Sequence, residues 1–137
     1  MQTKNEALTG GELARAAVAV LIEKKALDVR LYDVGVENPI TDYYINATGR
    51  SHTQVGSLAD DLVDKLSESG ISAMRVEGKR GDAWILVDYG DVIVNIFDRE
   101  SREFYNLDRL MPAESCKDIS DIVAEVDKKL EIKNTEE

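Results

Sequence analysis

Residues 83–97 read AWILVDYGDVIVNIF, two apolar runs joined by a short polar segment that contains a glycine. Both runs are rich in the β-branched and aromatic residues that favour strands, and the Asp-Tyr-Gly-Asp segment between them has the composition of a turn. The stretch therefore predicts a hairpin of two antiparallel neighbouring strands. The first run has almost no polar alternation, which is typical of a strand that is covered on both faces.

Three further strands are predicted on the amino-terminal side of this hairpin. Residues 27–32 alternate between an apolar set that includes Leu31 and a polar set that includes Tyr32, the pattern of a half-buried strand. Residues 42–48 are rich in aromatic and β-branched residues. The third is the short apolar stretch 71–76, and we expect the basic turn 78–81 that follows it to be flexible.

Two helices are predicted from capping-box spacing, in which a serine or threonine is followed three residues later by glutamate or glutamine. Thr9 and Glu12 have this spacing, and so do Ser51 and Gln54. Each pair precedes apolar residues at helical intervals, which continue to about residue 25 in the first helix and to Gly70 in the second.

The carboxyl-terminal part of the chain is predicted to be helical in pieces. Residues 99–110 favour short helical or irregular segments whose aromatic side chains dock on the sheet, and Pro112 ends this unit. The acidic chain beyond it keeps a helical apolar stripe between residues 118 and 133. The stripe consists of Ile119, Ile122, Val123, Val126 and Leu130.

The order helix, strand, strand, helix, three strands, helices predicts an α/β or α+β fold. We expect a single domain with a mixed five-stranded sheet flanked by helices. Residues 1–8 should be disordered and residues 9–111 should form the domain. Residues 112–137 should be an acidic extension, helical except for its disordered last few residues.

Composition narrows the class of protein and its partners. With 137 residues, 43% hydrophobic and 32% charged, the chain has the composition of one soluble globular domain. No run approaches the roughly 18 apolar residues that span a membrane, and the first residues lack a secretion signal, so we expect a cytoplasmic protein without membrane contact. The formal net charge of -10 repels phosphate backbones, which disfavours nucleic acid as a direct partner.

Several residues invite a catalytic interpretation, and each also has a structural one. Asp88 and Asp91 could hold magnesium for phosphoryl or nucleotidyl transfer, but acids are common in hairpin turns. Ser51 beside His52 has the residue types of a nucleophile and its base, yet adjacent helical residues point about 100° apart and capping already uses the serine oxygen. We predict no catalytic site, no metal site and no cofactor.

Three other features are weighed in the same way. The junction 49–51, Gly-Arg-Ser, could cradle a phosphate on helix amides, although N-capping alone explains it. Cys116, the only cysteine, has no histidine within local reach to activate it, and with one histidine in the chain no zinc cluster is expected. Trp84, the only tryptophan, is either a core residue of its strand or the anchor of a binding surface.

Several of these segments together resemble the Iojap and ribosomal silencing factor family. The similar motifs are TDYYINATGRS at residues 41–51, VEG at 76–78, WILVDYGDVIV at 84–94 and EFYNLDRL at 103–110. They stand in the family's order and spacing over about residues 10–110. The resemblance implies a fold similar to that of nucleotidyltransferases, without their set of catalytic carboxylates.

The resemblance also implies a function and a partner. The implied partner is the fourteenth protein of the large ribosomal subunit, bound on the face where the small subunit docks. The implied function is to block that docking and so to repress translation during starvation or stationary phase. By motif position, Trp84, Asp88, Tyr89 and Asp91 are expected to contact that ribosomal protein, with Trp84 as an apolar anchor and the aspartates binding basic side chains. An acidic surface would speed encounter with a basic partner.

Two alternatives stay open: a metal-dependent nucleotidyltransferase-like enzyme that uses Asp88 and Asp91, and a non-ribosomal homodimeric adaptor. The sequence departs from the family at Asn95, where histidine is usual, and at Met111, where tryptophan is usual. Residues 112–137 have no counterpart in short members. We expect them to form a stabilising helix rather than an enlarged steric block, a self-association element or an autoinhibitory flap.

Overall fold

A computed structural model describes residues 8–35, 37–78 and 83–136 of the protein, with side chains described up to residue 132. The helices are α1 (Gly10–Glu23), α2 (His52–Glu68), α3 (Arg99–Tyr105) and α4 (Ser120–Glu136). The strands are β1 (Leu27–Asp33), β2 (Tyr43–Gly49), β3 (Arg75–Glu77), β4 (Trp84–Asp88), β5 (Val92–Asp98) and β6 (Cys116–Lys117).

These strands form one mixed sheet in the order β3-β4-β5-β2-β1-β6. At its centre β2 and β5 pair in parallel, with Asn46 opposite Asn95, and the other four pairings of the described strands are antiparallel. The predicted hairpin is confirmed as β4 and β5, in which Val87 lies opposite Val94. The predicted mixed sheet flanked by helices is confirmed as well.

The sheet has one strand more than the five predicted. β6 is only two residues long and pairs with β1, with Cys116 opposite Tyr32. Two residues are too few to show strand periodicity in a sequence, so this strand could not be predicted. The third predicted strand is shorter than expected, because β3 begins at Arg75 and the buried Ile71 lies in the loop before it.

The two faces of the sheet are covered differently. In β5, the side chains of Val94 and Ile96 join the hydrophobic core that α1 and α2 form on one face. Asn95 and Phe97 alternate with them and therefore point to the opposite face. In the described part of the chain, α3 and the 3₁₀ segment Leu107–Leu110 cover part of this face. We call this second face the open face.

The acidic extension packs into the same structure. Ile122 and Val126 of α4 are buried in the core cluster beside α1, and Asp121 forms an ion pair with Arg15. The helix predicted to end near residue 133 continues to Glu136, so residues 134–136, which we expected to be disordered, are helical.

Two sequence predictions fall largely outside the described residues. Disorder was expected for residues 1–8, of which only Leu8 is described, and it packs against the core. The flexible basic turn was expected at residues 78–81, of which only Gly78 is described.

The two predicted helix starts are correct, and one of them is a complete capping box. The Thr9 hydroxyl accepts from the Glu12 amide at 3.1 Å while the Glu12 carboxylate accepts from the Thr9 amide at 2.9 Å. Ser51 likewise accepts from the Gln54 amide at 3.1 Å. The Gln54 side chain, however, accepts from the Arg50 amide rather than from Ser51, so the second capping box is one-sided.

Candidate functional site

An aromatic cluster lies on the open face, at the start of β4. The Trp84 ring packs 5.0 Å from the Phe97 ring of β5 and 4.8 Å from the Tyr105 ring of α3, measured between centroids. Phe97 is fully buried beneath it, whereas Trp84 is half-buried. Trp84 is therefore partly a core residue and partly a surface residue, and whether it anchors a partner stays a prediction.

The rim of this cluster exposes apolar surface. Phe104 is 79% exposed and meets Tyr105, which is itself 49% exposed, edge-on at a centroid distance of 5.1 Å. The prediction that the aromatic residues of this region dock on the sheet is correct for Tyr105 and wrong for Phe104. Exposed aromatic side chains next to a half-buried tryptophan are typical of protein interaction surfaces.

A chain of hydrogen bonds runs across the open face beneath this rim. The Trp84 indole Nε1–H donates to Asn95 Oδ1 at 3.0 Å, and Asn95 Nδ2–H donates to Asn46 Oδ1 at 3.1 Å. Asn46 Nδ2–H then donates to Asp108 Oδ1 at 3.0 Å. Asn46 and Asn95 are opposite each other in the two central strands and are 0% and 2% exposed, so this polar network is an internal part of the sheet.

Asp108 is the acceptor at which the polar network converges. Its carboxylate accepts from Tyr32 at 2.6 Å and from Arg102 at 2.7 and 3.2 Å, in addition to Asn46. Burial alone would raise the pKa of Asp108, but the hydrogen bonds from Arg102, Tyr32 and Asn46 outweigh it and lower that pKa to about 2. Asp108 is therefore ionised at neutral pH.

The same contacts explain why Tyr32 is buried although the sequence placed it in the polar set of β1. The segment Leu107–Leu110 covers it, and its hydroxyl finds a partner in Asp108. Burial, followed by this hydrogen bond, raises the pKa of Tyr32 to about 12. Alternation within a strand gives no information about a segment that is more than seventy residues away in the chain.

Arg102 fixes α3 to the sheet. Its side chain is 9% exposed, and besides Asp108 its Nη1 donates to Thr48 Oγ1 at 2.9 Å and to the Asp28 carbonyl at 3.1 Å. One guanidinium thus joins α3, the 3₁₀ segment, β1 and β2. Sequence reasoning missed Arg102 and Asp108, although both lie in the matched motif region 103–110 or next to it.

The four residues expected to bind the partner do not form one cluster. Trp84 begins β4 and Asp88 ends it, so the two lie at opposite ends of that strand. Asp88 accepts from Arg75 Nε at 3.3 Å and from the Gly90 amide at 2.8 Å. Its carboxylate therefore has structural partners in the turn.

Tyr89 and Asp91 lie beside the amino-terminal end of α1. Tyr89 is 8% exposed, and its hydroxyl has no hydrogen-bond partner among the described residues. Burial raises the pKa of Tyr89 to about 12. The Tyr89 side chain lines a small cavity of about 80 Å³ together with Leu13, Ile71 and Asp91. Asp91 itself is exposed.

The residues weighed for catalysis hold structural contacts. The Ser51 hydroxyl caps α2, His52 Nε2 lies 2.7 Å from Asp98 Oδ2, and Arg50 donates to the Lys25 carbonyl at 2.8 Å. Cys116 is an exposed free thiol. Within the described ranges, no three His, Cys, Asp or Glu side chains are grouped so that they could hold a metal ion. No helix in the described part of the chain is long and apolar enough to cross a membrane.

The fold and the open face define a class: a small α/β protein with a mixed sheet, one face of which presents an aromatic cluster suited to binding a protein surface. The chain belongs to the ribosomal silencing factor family, because the family model described as ribosomal silencing factor during starvation matches residues 7–137.

Individual relatives agree with this assignment. The chain is 34% identical over 98 residues to ribosomal silencing factor RsfS of Bacillus subtilis, covering 72% of this chain and 83% of the relative. It is 40% identical over 86 residues to RsfS of Haemophilus influenzae, covering 63% and 84%. A crystal structure of a protein from Chromobacterium violaceum superimposes with a TM-score of 0.71 at 31% identity, over 76% of this chain and 87% of that one.

Proposed function

We propose that this protein binds the large ribosomal subunit through its fourteenth ribosomal protein and blocks association with the small subunit, repressing translation in starvation or stationary phase. The observation that carries the proposal is the aromatic cluster, in which Trp84, Phe104 and Tyr105 expose apolar surface on the open face. Tryptophan and tyrosine dominate the energetics of protein interfaces. The mechanism is steric occlusion and needs no catalytic group.

The charge around the aromatic cluster supports a basic protein as the partner. Glu100 lines the groove beside Phe104, and Glu77, which pairs with Arg75 at 2.6 Å, lines the groove beside Trp84. With a formal net charge of -10, the protein would be steered toward a basic surface and would gain little from non-specific contact with RNA. An apolar aromatic surface on a protein of net negative charge is suited to a ribosomal protein rich in lysine and arginine.

Asp88, Tyr89 and Asp91 contribute differently in this proposal. Asp91 is exposed and free to bind a basic side chain of the partner, whereas a basic group that approaches Asp88 competes with Arg75. Tyr89 is too buried to offer the partner much surface, so we assign it to the support of this turn from inside. The contact with the partner is therefore centred on Trp84.

Sucrose-gradient sedimentation of purified ribosomal subunits, with and without the protein, tests the proposal under magnesium concentrations that favour joining. We expect the protein to co-migrate with the large subunit and the peak of joined ribosomes to shrink. Protein that stays at the top of the gradient, with joining unaffected, would refute it. Adding the isolated fourteenth ribosomal protein as a competitor identifies the partner, because it should release our protein from the large subunit.

A further inference from the structure

The hydrogen bond between Trp84 and Asn95 decides which part of the indole is available to a partner. A tryptophan at an interface combines a large apolar ring with one N–H donor, which can bind the partner or a group of its own protein. Here the Nε1–H is directed inward and donates to Asn95 Oδ1 at 3.0 Å. The surface of Trp84 that remains is therefore the apolar ring.

Asn95 can hold the indole because its own amide is fixed. It is 2% exposed, and its Nδ2–H donates to Asn46 Oδ1 while its Oδ1 accepts from Trp84. Both ends of the amide are therefore hydrogen-bonded. Asn46 is in turn bonded to Asp108, which Arg102 and Tyr32 hold in place. Rotating the Asn95 amide would break both hydrogen bonds, one buried and one partly buried, which is costly.

We propose that Asn95 is a positioning residue for partner binding: it locks the Trp84 indole in its binding orientation and couples it, through Asn46, to the Asp108 anchor of the 3₁₀ segment. The proposal rests on the proposed function, since the positioned ring is the centre of that binding surface. Holding a side chain in its bound orientation beforehand removes the entropic cost of ordering it on association. The same network holds the segment Leu107–Leu110 against the open face through Asp108.

The test variant is Asn95→Leu, which keeps the size of the side chain and removes both hydrogen bonds. We expect affinity for purified large subunits to fall about five- to tenfold, the factor that corresponds to ordering one or two large side chains on binding. The indole Nε1–H resonance should move and exchange faster with solvent, and acrylamide should quench the fluorescence more, a clear readout because Trp84 is the only tryptophan.

A matched control separates positioning from loss of stability. Val126→Ala truncates a buried side chain in α4, on the far side of the sheet from the open face. It should lower the free energy of unfolding without changing the indole resonance, the quenching or the affinity of the folded protein. Equal loss of affinity in both variants would overturn the proposal, and so would wild-type affinity in Asn95→Leu.

Asn95→His provides a rescue that keeps the proposal testable if Asn95→Leu fails to fold. A neutral imidazole has one acceptor and one donor nitrogen, as the amide has, whereas an imidazolium has two donors and cannot accept from Trp84. We expect binding and the indole resonance near those of the wild type at about pH 8, where the imidazole is neutral. A folded Asn95→His variant that binds as weakly as Asn95→Leu at this pH would contradict the positioning role.

The proposed function and the positioning role fail in different ways. If the wild-type protein does not bind large subunits, the function is wrong, and the resonance and quenching of Trp84 still decide whether Asn95 holds the indole. If the wild-type protein binds and Asn95→Leu binds equally well, the function stands and the positioning role is wrong.

Discussion

Arg102 holds Asp108 with two hydrogen bonds, from Nε to Oδ2 at 2.7 Å and from Nη2 to Oδ1 at 3.2 Å. The two residues are six positions apart, one in α3 and the other in the 3₁₀ segment. Because Arg102 also donates to Thr48, the pair attaches both elements to the central strand β2. The open face is thus given its shape by an ion pair with the additional hydrogen bonds that such a pair needs when it leaves water.

Asp108→Asn should lower the free energy of unfolding by an amount that depends on pH, because it removes the charge that pairs with Arg102. The pKa of Asp108 is about 2 in the folded protein, below the unfolded value of about 3.9. The carboxylate therefore contributes stability that is present above about pH 4 and lost as the pH falls toward 2. From the shift we expect the variant to be about 2 kcal/mol less stable at pH 7 and nearly equal to the wild type at about pH 2.

Urea unfolding at a series of pH values measures this difference. Asp127→Asn in α4 is the control, because that carboxylate is exposed and far from the polar network. A stability difference for Asp108→Asn that did not shrink as the solution is acidified would show that ionised Asp108 is not the stabilising group.

Tyr89→Phe should stabilise the protein. The hydroxyl of Tyr89 is buried and has no hydrogen-bond partner within the described ranges, so removing it relieves a desolvation cost of about 1–3 kcal/mol. Burial raises the pKa of Tyr89 to about 12, above the unfolded value of about 10, so this residue lowers stability further as the pH rises through that interval.

The free energy of unfolding of Tyr89→Phe should therefore exceed that of the wild type by a margin that grows between about pH 10 and pH 12. Thermal or urea unfolding at these pH values measures the margin. Affinity for the large subunit should stay unchanged, because the side chain is only 8% exposed. A less stable variant would mean that the hydroxyl is satisfied in solution. Weaker binding would show that Tyr89 contributes directly to the contact with the partner.

Most of the fold could be predicted because its patterns are local. The capping residue Thr9 and the turn composition around Gly90 each act over a few positions, and the order of elements followed from them. β6 could not be predicted, because its two residues pair with β1 through contacts that are distant in the chain. The placement of Tyr32 was missed for the same reason.

The candidate site was predicted less completely than the fold. Family resemblance pointed to Trp84, and its half-buried position is compatible with an anchor. Asn95 and Asp108 help to hold Trp84 in place, but neither belongs to a recognisable catalytic or metal-binding sequence motif. Their roles follow only from hydrogen bonds between different strands and segments. The departure at Asn95 could be noted in the sequence, but its contact with Trp84 required the structure.

Ile122→Ala tests the role of the extension. Ile122 of α4 is 5% exposed and belongs to the core cluster, so we expect its truncation to lower the free energy of unfolding by about 2–4 kcal/mol. Binding of the folded variant to large subunits should be unchanged, because α4 packs on α1 and not on the open face. The exposed Ile132, changed to alanine, is a control that should have little effect on stability.

Chemical unfolding and sedimentation on the same samples separate the interpretations of residues 112–137. A stabilising helix predicts lower stability with unchanged affinity. Tighter binding by Ile122→Ala would instead support an autoinhibitory flap that the substitution has loosened.

Trp84→Ala is the variant on which the proposed function depends most directly. It removes the ring that lies between the buried Phe97 and the partly exposed Tyr105, and with it the anchor of the aromatic cluster. If Trp84 is a hot spot, the affinity for large subunits should fall by at least about 2 kcal/mol, roughly 30-fold. Joined ribosomes should reappear at protein concentrations at which the wild type suppresses them.

Phe104→Ala is the companion variant, because Phe104 lies at the rim of the same cluster and is far more exposed. Rim residues contribute less than central ones, so its loss of affinity should be smaller than that of Trp84→Ala. Circular dichroism and urea unfolding establish that both variants are folded before binding is compared. A folded Trp84→Ala protein with wild-type affinity would place the partner elsewhere, and the acidic turn around Asp91 would then be the surface to mutate next.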